Sequence, residues 1–503
     1  MQPPKSGSTL RKYLKEDADV VRDQMRAILK GIIEGGYKLA MSFDEATVVG
    51  TDRYITVNVH HHAVLLGNSK ILPLGLIRID DRQTGSNLCD LISGRLRGVG
   101  LSTEDFAAAS TDGASNVRRA LDLMLIKQQK CFAHGLDLVV RKTIYGRNAL
   151  AFDIDILLAD RGDDVPEETE NGVSDDTFRD SLDETEVDAD LGTTAVCLGA
   201  VIDRLRSACR EFKRKPIMMD EIRKTTRKEE FNGRELRPIL DCRTRWYSTC
   251  LMIERALRIL PALNNVLSRH GTPISATDVS ALEQIADALI PFKRAILMLC
   301  KKEATLLTAD KLCILLLSDL RKIDTELATL LRENFVAEIL KRRSIFSSVL
   351  SILSDPSCSF DLEKEIGQGI PSDLAIIEVL EEILPSRSSA PLRHSVVEEP
   401  EELVLTWQTV YAEPTASSSP RSSPPLCTKG TLERDLTLFK AGGGRSQALT
   451  LCKEILEAIP PTSVQPERDF SVLRLMLGEN RTSFSPETLD DIFILKKKFQ
   501  YDD

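Results

Sequence analysis

The hydrophobic period of this chain changes partway along, and that change narrows what it can fold into. Up to about residue 150 the apolar residues come in short β-branched runs: YKLAMSFD (37–44), RYITVNVHHHAVLL (53–66) and KILPLGLIRI (70–79). Runs of this length between polar turns read as strands. From about 195 to 385 apolar residues recur instead at three- and four-residue spacing, as in ALEQIADALIPFKRAILMLC (281–300) and KLCILLLSDLRKIDTELATLLREN (311–334). That is the helical signature. The chain should therefore hold a mixed α/β unit followed by a large all-α block.

The α/β part can be read more finely. A charged helix over 9–34 stops at Gly35-Gly36. After the three strands a helix fits 84–97, with Thr84 or Ser86 near its N-cap. A short strand, FAAAST (106–111), runs into Asp112, Gly113 breaks it, and a helix begins near Ser115. Three strands, a helix, a strand and a helix are the start of an RNase H-like layout. The expected divisions are a helical lead-in (1–36), the first α/β part (37–150), an acidic disordered loop (151–195), a helical insertion (196–385), a Ser/Pro-rich linker (386–430) and a final helical block (431–503).

Charge bears on partners. The net charge is −10, which alone argues against nucleic acid. Residues 160–190 carry 14 Asp/Glu against 2 Lys/Arg, however, and the rest of the chain is nearly balanced. Residues 201–250 hold 14 Lys/Arg against 8 Asp/Glu, so a run such as Lys213-Arg214-Lys215 could meet phosphates or simply be a solvated helix face. The 11 cysteines include no C-x-x-C pair, which suits a reducing interior and provides no zinc finger. No apolar run approaches the roughly 18 residues of a membrane span, and the first thirty residues are too charged for a secretory signal. An intracellular protein with no membrane partner is expected.

Two carboxylates stand at strand ends, Asp44 after YKLAMSF and Asp112 after FAAAST. An Asp there is commonly a turn former. Clustered carboxylates can also bind a pair of Mg²⁺ ions and permit in-line phosphoryl transfer. The surrounding text decides between them. SFDEAT (42–47), STDGASNV (110–117), CFAHGLDLVV (131–140), RTRWYST (243–249) and PPTSVQPERDFS (460–471) with ENRTSFSPETLDDIFILKKKF (479–499) stand in one order along about 470 residues. In that order they resemble the hAT transposase superfamily.

The resemblance implies a fold and a site. The fold would be an α/β RNase H-like domain interrupted by a large all-α insertion, with a helical C-terminal dimerisation segment. Asp44 and Asp112 match the family's first two metal-binding aspartates, and Glu467 of PERDFS matches the third carboxylate. The metal would be Mg²⁺ or Mn²⁺. Independently, Pro460-Pro461, a Thr462 or Ser463 cap and Pro466 fit the start of a helix, where Glu467 could equally be a helix-dipole partner. Phe470, Leu473 and Leu477 share a face of it.

Cys131 and His134 match the family's C-x-x-H segment. Two ligands make half a zinc site, so a structural or strand-orienting role without metal is expected. His60-His61-His62 lies in a strand whose side chains alternate, and is expected to be solvated. Arg245 and Trp246 match the RW motif; core packing is expected for Trp246, and likewise for Trp407. In the last block Leu489, Ile492, Phe493 and Leu495 are spaced for one helix face that its own core or a second chain must cover. The resemblance points to a second copy, with Phe470, Leu489, Ile492 and Leu495 at the interface.

Two departures bear on activity. No cysteine precedes Cys89, so this sequence carries no N-terminal BED-type zinc finger, and sequence-specific end binding is expected to be absent. Val472, Leu473 and Arg474 follow Phe470-Ser471 where the family has small residues. The expected function is that of a transposon-derived protein, nuclear and self-associating, with residual or lost DNA-processing activity. The alternative is an active DDE-type transposase. DNA is a candidate partner, and no small-molecule substrate is expected.

Overall fold

The computed structural model describes residues 7–49, 52–63, 68–146, 192–228, 235–242, 246–384, 429–477 and 484–501. The acidic loop and the Ser/Pro-rich linker fall almost entirely outside these residues, as do Arg245 and Trp407. Helix α1 (Gly7–Glu34) precedes the strands β1 (Leu39–Val49), β2 (Asp52–Ala63) and β3 (Asn68–Ile79). Then come α2 (Gly85–Gly98), β4 (Phe106–Thr111), α3 (Ser115–Met124), β5 (Gln128–Lys130) and α4 (Phe132–Tyr145). The strands form one sheet in the order β3-β2-β1-β4-β5, with β1–β2–β3 antiparallel and β4 and β5 running parallel to β1.

Strand alternation sorts the side chains into two faces. Leu39, Met41 and Phe43 of β1 and Ile55, Val57 and Val59 of β2 share a core with Leu88 and Ile92 of α2 and Val117 and Leu121 of α3. The residues between them, Ser42, Thr56, Asn58 and His60, are buried on the other face. A sheet face with buried polar groups must find them partners. His60 Nε2 pairs with Ser42 Oγ at 2.8 Å. The solvated histidine strand expected from the sequence is therefore corrected: His60 and His61 are both buried, and burial pushes His60 down to about 3. The strand lies inside the molecule because helices cover both its faces.

The helical insertion comprises α5 (Gly192–Arg214), α6 (Pro216–Lys228), α7 (Trp246–Arg258), α8 (Leu260–His270), α9 (Ala276–Leu299), α10 (Leu306–Arg321), α11 (Glu326–Arg342), α12 (Ile345–Ser354), α13 (Asp361–Ile366) and α14 (Asp373–Ile383). Several start at side-chain caps: Ser275, Thr305, Thr325 and Ser372 each accept a backbone N–H of the first turn. Their apolar faces join Phe132, Leu136 and Val140 of α4 in one continuous core. Buried Arg343, just after α11, bonds Asp310, Glu363, Ser348 and Gln368 and ties α10 to α12 and α13. Among the described residues no helix is long and apolar enough to cross a membrane.

The final block contains α15 (Lys429–Lys440), α16 (Gln447–Glu457), α17 (Val464–Leu477) and α18 (Pro486–Tyr501). Phe470 and Leu473 of α17 and Leu489, Phe493 and Ile494 of α18 pack with Val21 and Met25 of α1 and with Tyr54 and Leu76 of the sheet. Asp490 reinforces this docking. It accepts Arg22 Nη2 at 3.1 Å, Arg95 Nη1 at 2.8 Å and the Leu76 N–H at 2.7 Å. Gly75 (φ +104°) makes room, since a Cβ there would lie 2.1 Å from Asp490 Oδ1. Periodicity left two covers open for this stripe, and Phe470 and Leu489 are covered by their own chain. Ile492 and Leu495 are half-buried.

Candidate functional site

The sheet brings the first two carboxylates together by register. β1 and β4 are parallel neighbours, and Ser42 pairs with Ser110. Two residues further on each chain stand Asp44 and Asp112, near enough that the Asp112 charge raises the Asp44 carboxyl. The sequence put Asp44 at the end of its strand. β1 in fact continues to Val49, because Glu45, Ala46 and Thr47 go on pairing with Ile55, Tyr54 and Arg53 of the hairpin. The ladder with β4 stops at Ser42, so Asp44 lies just past the paired stretch, at the rim of the β1–β4 seam. Its Oδ1 accepts the Glu45 N–H at 2.9 Å. Asp112, one residue past β4, accepts the Ala114 N–H at 3.1 Å, and Gly113 turns the chain at φ +102°.

Glu467 returns to this rim after 355 residues, and three contacts guide it. Ser110 Oγ donates to the Pro460 carbonyl, the Phe132 N–H donates to the Pro461 carbonyl at 3.0 Å, and the Ser463 N–H donates to Cys131 Sγ at 3.2 Å. α17 then begins at Val464 with Glu467 in its first turn, exposed to solvent. Burial raises the Asp44 carboxyl well above the usual carboxylate range, and the negative charges of Asp112 and Glu467 push it further in the same direction. The three groups therefore share one electrostatic neighbourhood.

Of the structural or strand-orienting parts expected for it, Cys131 has a structural one. It is the N-cap of α4: its Sγ accepts the His134 N–H at 3.5 Å as well as that of Ser463, and its own N–H donates to Thr111 at 2.7 Å. Cys131 thus fastens the starts of α4 and α17 to the end of β4. His134 is pushed down to about 4 by burial and by the Arg342 charge, against the pull of Asp112. Trp246 is buried at the start of α7, its ring edge-on to Phe292 at 6.2 Å and its main-chain N–H donating to Asp137 of α4. A ring so enclosed is core packing and has no free face for a base.

Sequence reasoning missed several groups. Arg342, at the end of α11, donates through Nη1 to the carbonyls of Asp112 (3.3 Å) and Cys131 (3.0 Å) while its Nε holds Glu338 at 2.7 Å. It ties the insertion to the rim. Gly135 gives it passage, as a Cβ there would meet Arg342 Cδ at 2.5 Å. Nothing in the sequence marks this arginine. Asp469 was findable: it stands one turn from Leu473 on the buried face of α17, and a carboxylate there demands a partner. Glu45 points to the opposite face of the sheet, where Asn116 donates to it at 3.1 Å.

The donor set suits a hard divalent cation, since the Asp112 and Glu467 charges that raise the Asp44 carboxyl are ones an ion would neutralise. Among the described residues, however, no three His, Cys, Asp or Glu side chains stand close enough to form a finished cage. No family model and no curated protein matches the chain.

Proposed function

We propose that this chain is a protein of hAT transposase ancestry whose sheet is RNase H-like and whose rim acts on DNA phosphodiesters with Mg²⁺ or Mn²⁺. The observation that supports this reading is that Asp44 and Asp112 each follow the paired Ser42 and Ser110 of parallel β1 and β4 by two residues, and that the charges of Asp112 and Glu467 both reach Asp44. The strand order 3-2-1-4-5, three antiparallel strands followed by two parallel ones, supports the RNase H-like assignment. So does the position of the helical block between Asp112 and Glu467.

Asp44, Asp112 and Glu467 would hold the metal. A bound pair of ions supplies an activated attacking oxygen and stabilises the leaving one. The chain's own residues supply rigidity: Asp44 sits on β1, Asp112 directly follows the neighbouring β4, and the start of the helix bearing the third is tied to the same region through Ser110, Phe132 and Cys131. Glu467, exposed in the first turn of α17, is the carboxylate a duplex would meet first.

A second reading has the carboxylates kept by descent in a nuclear, dimerising scaffold. One observation favours it, the lack among the described residues of a closed three-ligand cluster. Dimerisation through the last helix would have to use Ile492 and Leu495, since Phe470 and Leu489 are already spent inside the chain. Nicking and strand transfer on hairpin and nicked duplexes separate the two. Activity in Mg²⁺ or Mn²⁺ that Asp44→Ala, Asp112→Ala and Glu467→Ala each abolish supports the enzyme. A folded, inactive wild type supports the scaffold.

A further inference from the structure

Three consecutive residues of α17 address three different parts of the molecule. Glu467 is exposed at the rim, Arg468 donates through Nη2 to the carbonyl of Cys300 just past α9, and Asp469 is fully buried against the sheet. Successive residues of a helix stand about 100° apart, so fixing one of them fixes the direction of the others.

Asp469 is the most firmly held. Its Oδ2 accepts Asn58 Nδ2 at 2.7 Å, and its Oδ1 accepts Gln465 Nε2 at 3.0 Å and meets Lys497 Nζ at 2.6 Å. Asn58 comes from β2 and Lys497 from α18, and all four residues are buried. The Lys497 ammonium also lies 5.7 Å from the centre of the Phe493 ring. A buried ion pair returns little net stability over apolar residues of the same size, and its best-attested use is to specify register. Phe470 and Leu473 would hold α17 on the sheet through apolar contact, which is not directional and leaves its rotation loosely set. Bonds to β2 and to α18, two elements outside α17, do set it.

We infer that Asp469, locked by Asn58 and Lys497, is the positioning residue for Glu467. It sets the rotation of α17 at which the Glu467 carboxyl meets Asp44 and Asp112. Through Lys497 that setting also depends on the C-terminal helix. The inference rests on the three-carboxylate reading above and adds what aims its third member.

The test is Mn²⁺ affinity of the full chain, read from the electron paramagnetic resonance of free Mn²⁺ below the unfolding temperature of every variant. Asp469→Ala and Glu467→Ala should each weaken binding roughly tenfold, as loss of a support or of a ligand does. The double variant should be no weaker than Glu467→Ala alone, because both act through one carboxylate. Asp469→Asn keeps the shape and can keep a bond to Asn58; it should bind between wild type and Asp469→Ala, and it carries the test if the alanine variant does not fold. Wild-type affinity in either folded Asp469 variant, or losses that multiply in the double, would overturn the positioning role alone. A wild type that binds no Mn²⁺ would overturn the metal site and the positioning role together.

Discussion

Arg342 donates a hydrogen bond to the main-chain oxygen of Asp112, 3.3 Å away and 230 residues earlier in the chain. With its second bond, to the Cys131 carbonyl, it joins the helical insertion to the strand end that carries the second carboxylate. Arg342→Met should leave both carbonyls short of a donor and cost about 2 kcal/mol, the scale of hydrogen bonds to a charged group. Gly135→Ala should act through the same contact by displacing the guanidinium, at about 1–3 kcal/mol. Urea unfolding of each variant checks this, and unchanged midpoints would mean that the insertion is not anchored here.

Acid should destabilise the fold through His60. Burial holds this ring down at about 3, against about 6.5 in the unfolded chain. The folded pKa is thus the lower one, so its contribution is fully present above pH 6.5 and is lost as pH falls toward 3. At pH 5 the loss amounts to about 2 kcal/mol. Thermal unfolding between pH 7 and 5 should therefore fall more steeply for wild type than for His60→Gln, and parallel curves would refute the assignment.

Trp246 should behave as a core residue. In a Trp407→Phe background its fluorescence should be blue-shifted, resist acrylamide and stay constant on adding DNA. Trp246→Ala should cost about 3–5 kcal/mol, as large-to-small changes of buried aromatics do. Quenching by DNA would show instead that the ring reaches a base.

Leu125 offers a gain. It stands 91% exposed after α3 with φ +58°, a left-handed position that asparagine tolerates better than leucine. Leu125→Asn should stabilise by about 0.5 kcal/mol in the same unfolding assay. A loss would indicate that the exposed leucine has an unassigned contact.

The sequence made much of this legible for definite physical reasons. FAAAST is too short for a helix and ends at Asp112-Gly113, and the strand observed over Phe106–Thr111 matches it residue for residue. Of the two caps the sequence offered for α2, Thr84 and Ser86, Thr84 is the one that caps it. The three-to-four spacing over 281–300 and 311–334 marked helical chain, although it gave no sign of the break at 322–325 that divides the second stretch between α10 and α11. What stayed hidden depended on distant partners. His60 reads as a polar strand residue until α16 and the sheet enclose it, and Arg342 reads as a surface cation at a helix end. Cys131 was expected to be structural or strand-orienting, but which groups it holds stayed hidden, because one of them, the Ser463 N–H, lies 332 residues away.

The central claim is that Asp44, Asp112 and Glu467 make one metal site, and the most direct measurement is anomalous scattering from crystals soaked in Mn²⁺. One or two peaks bridging Asp44 and Asp112, with Glu467 turned in as a further ligand, is the predicted result. No density at that rim, in crystals where the three side chains are ordered and unobstructed, would contradict it.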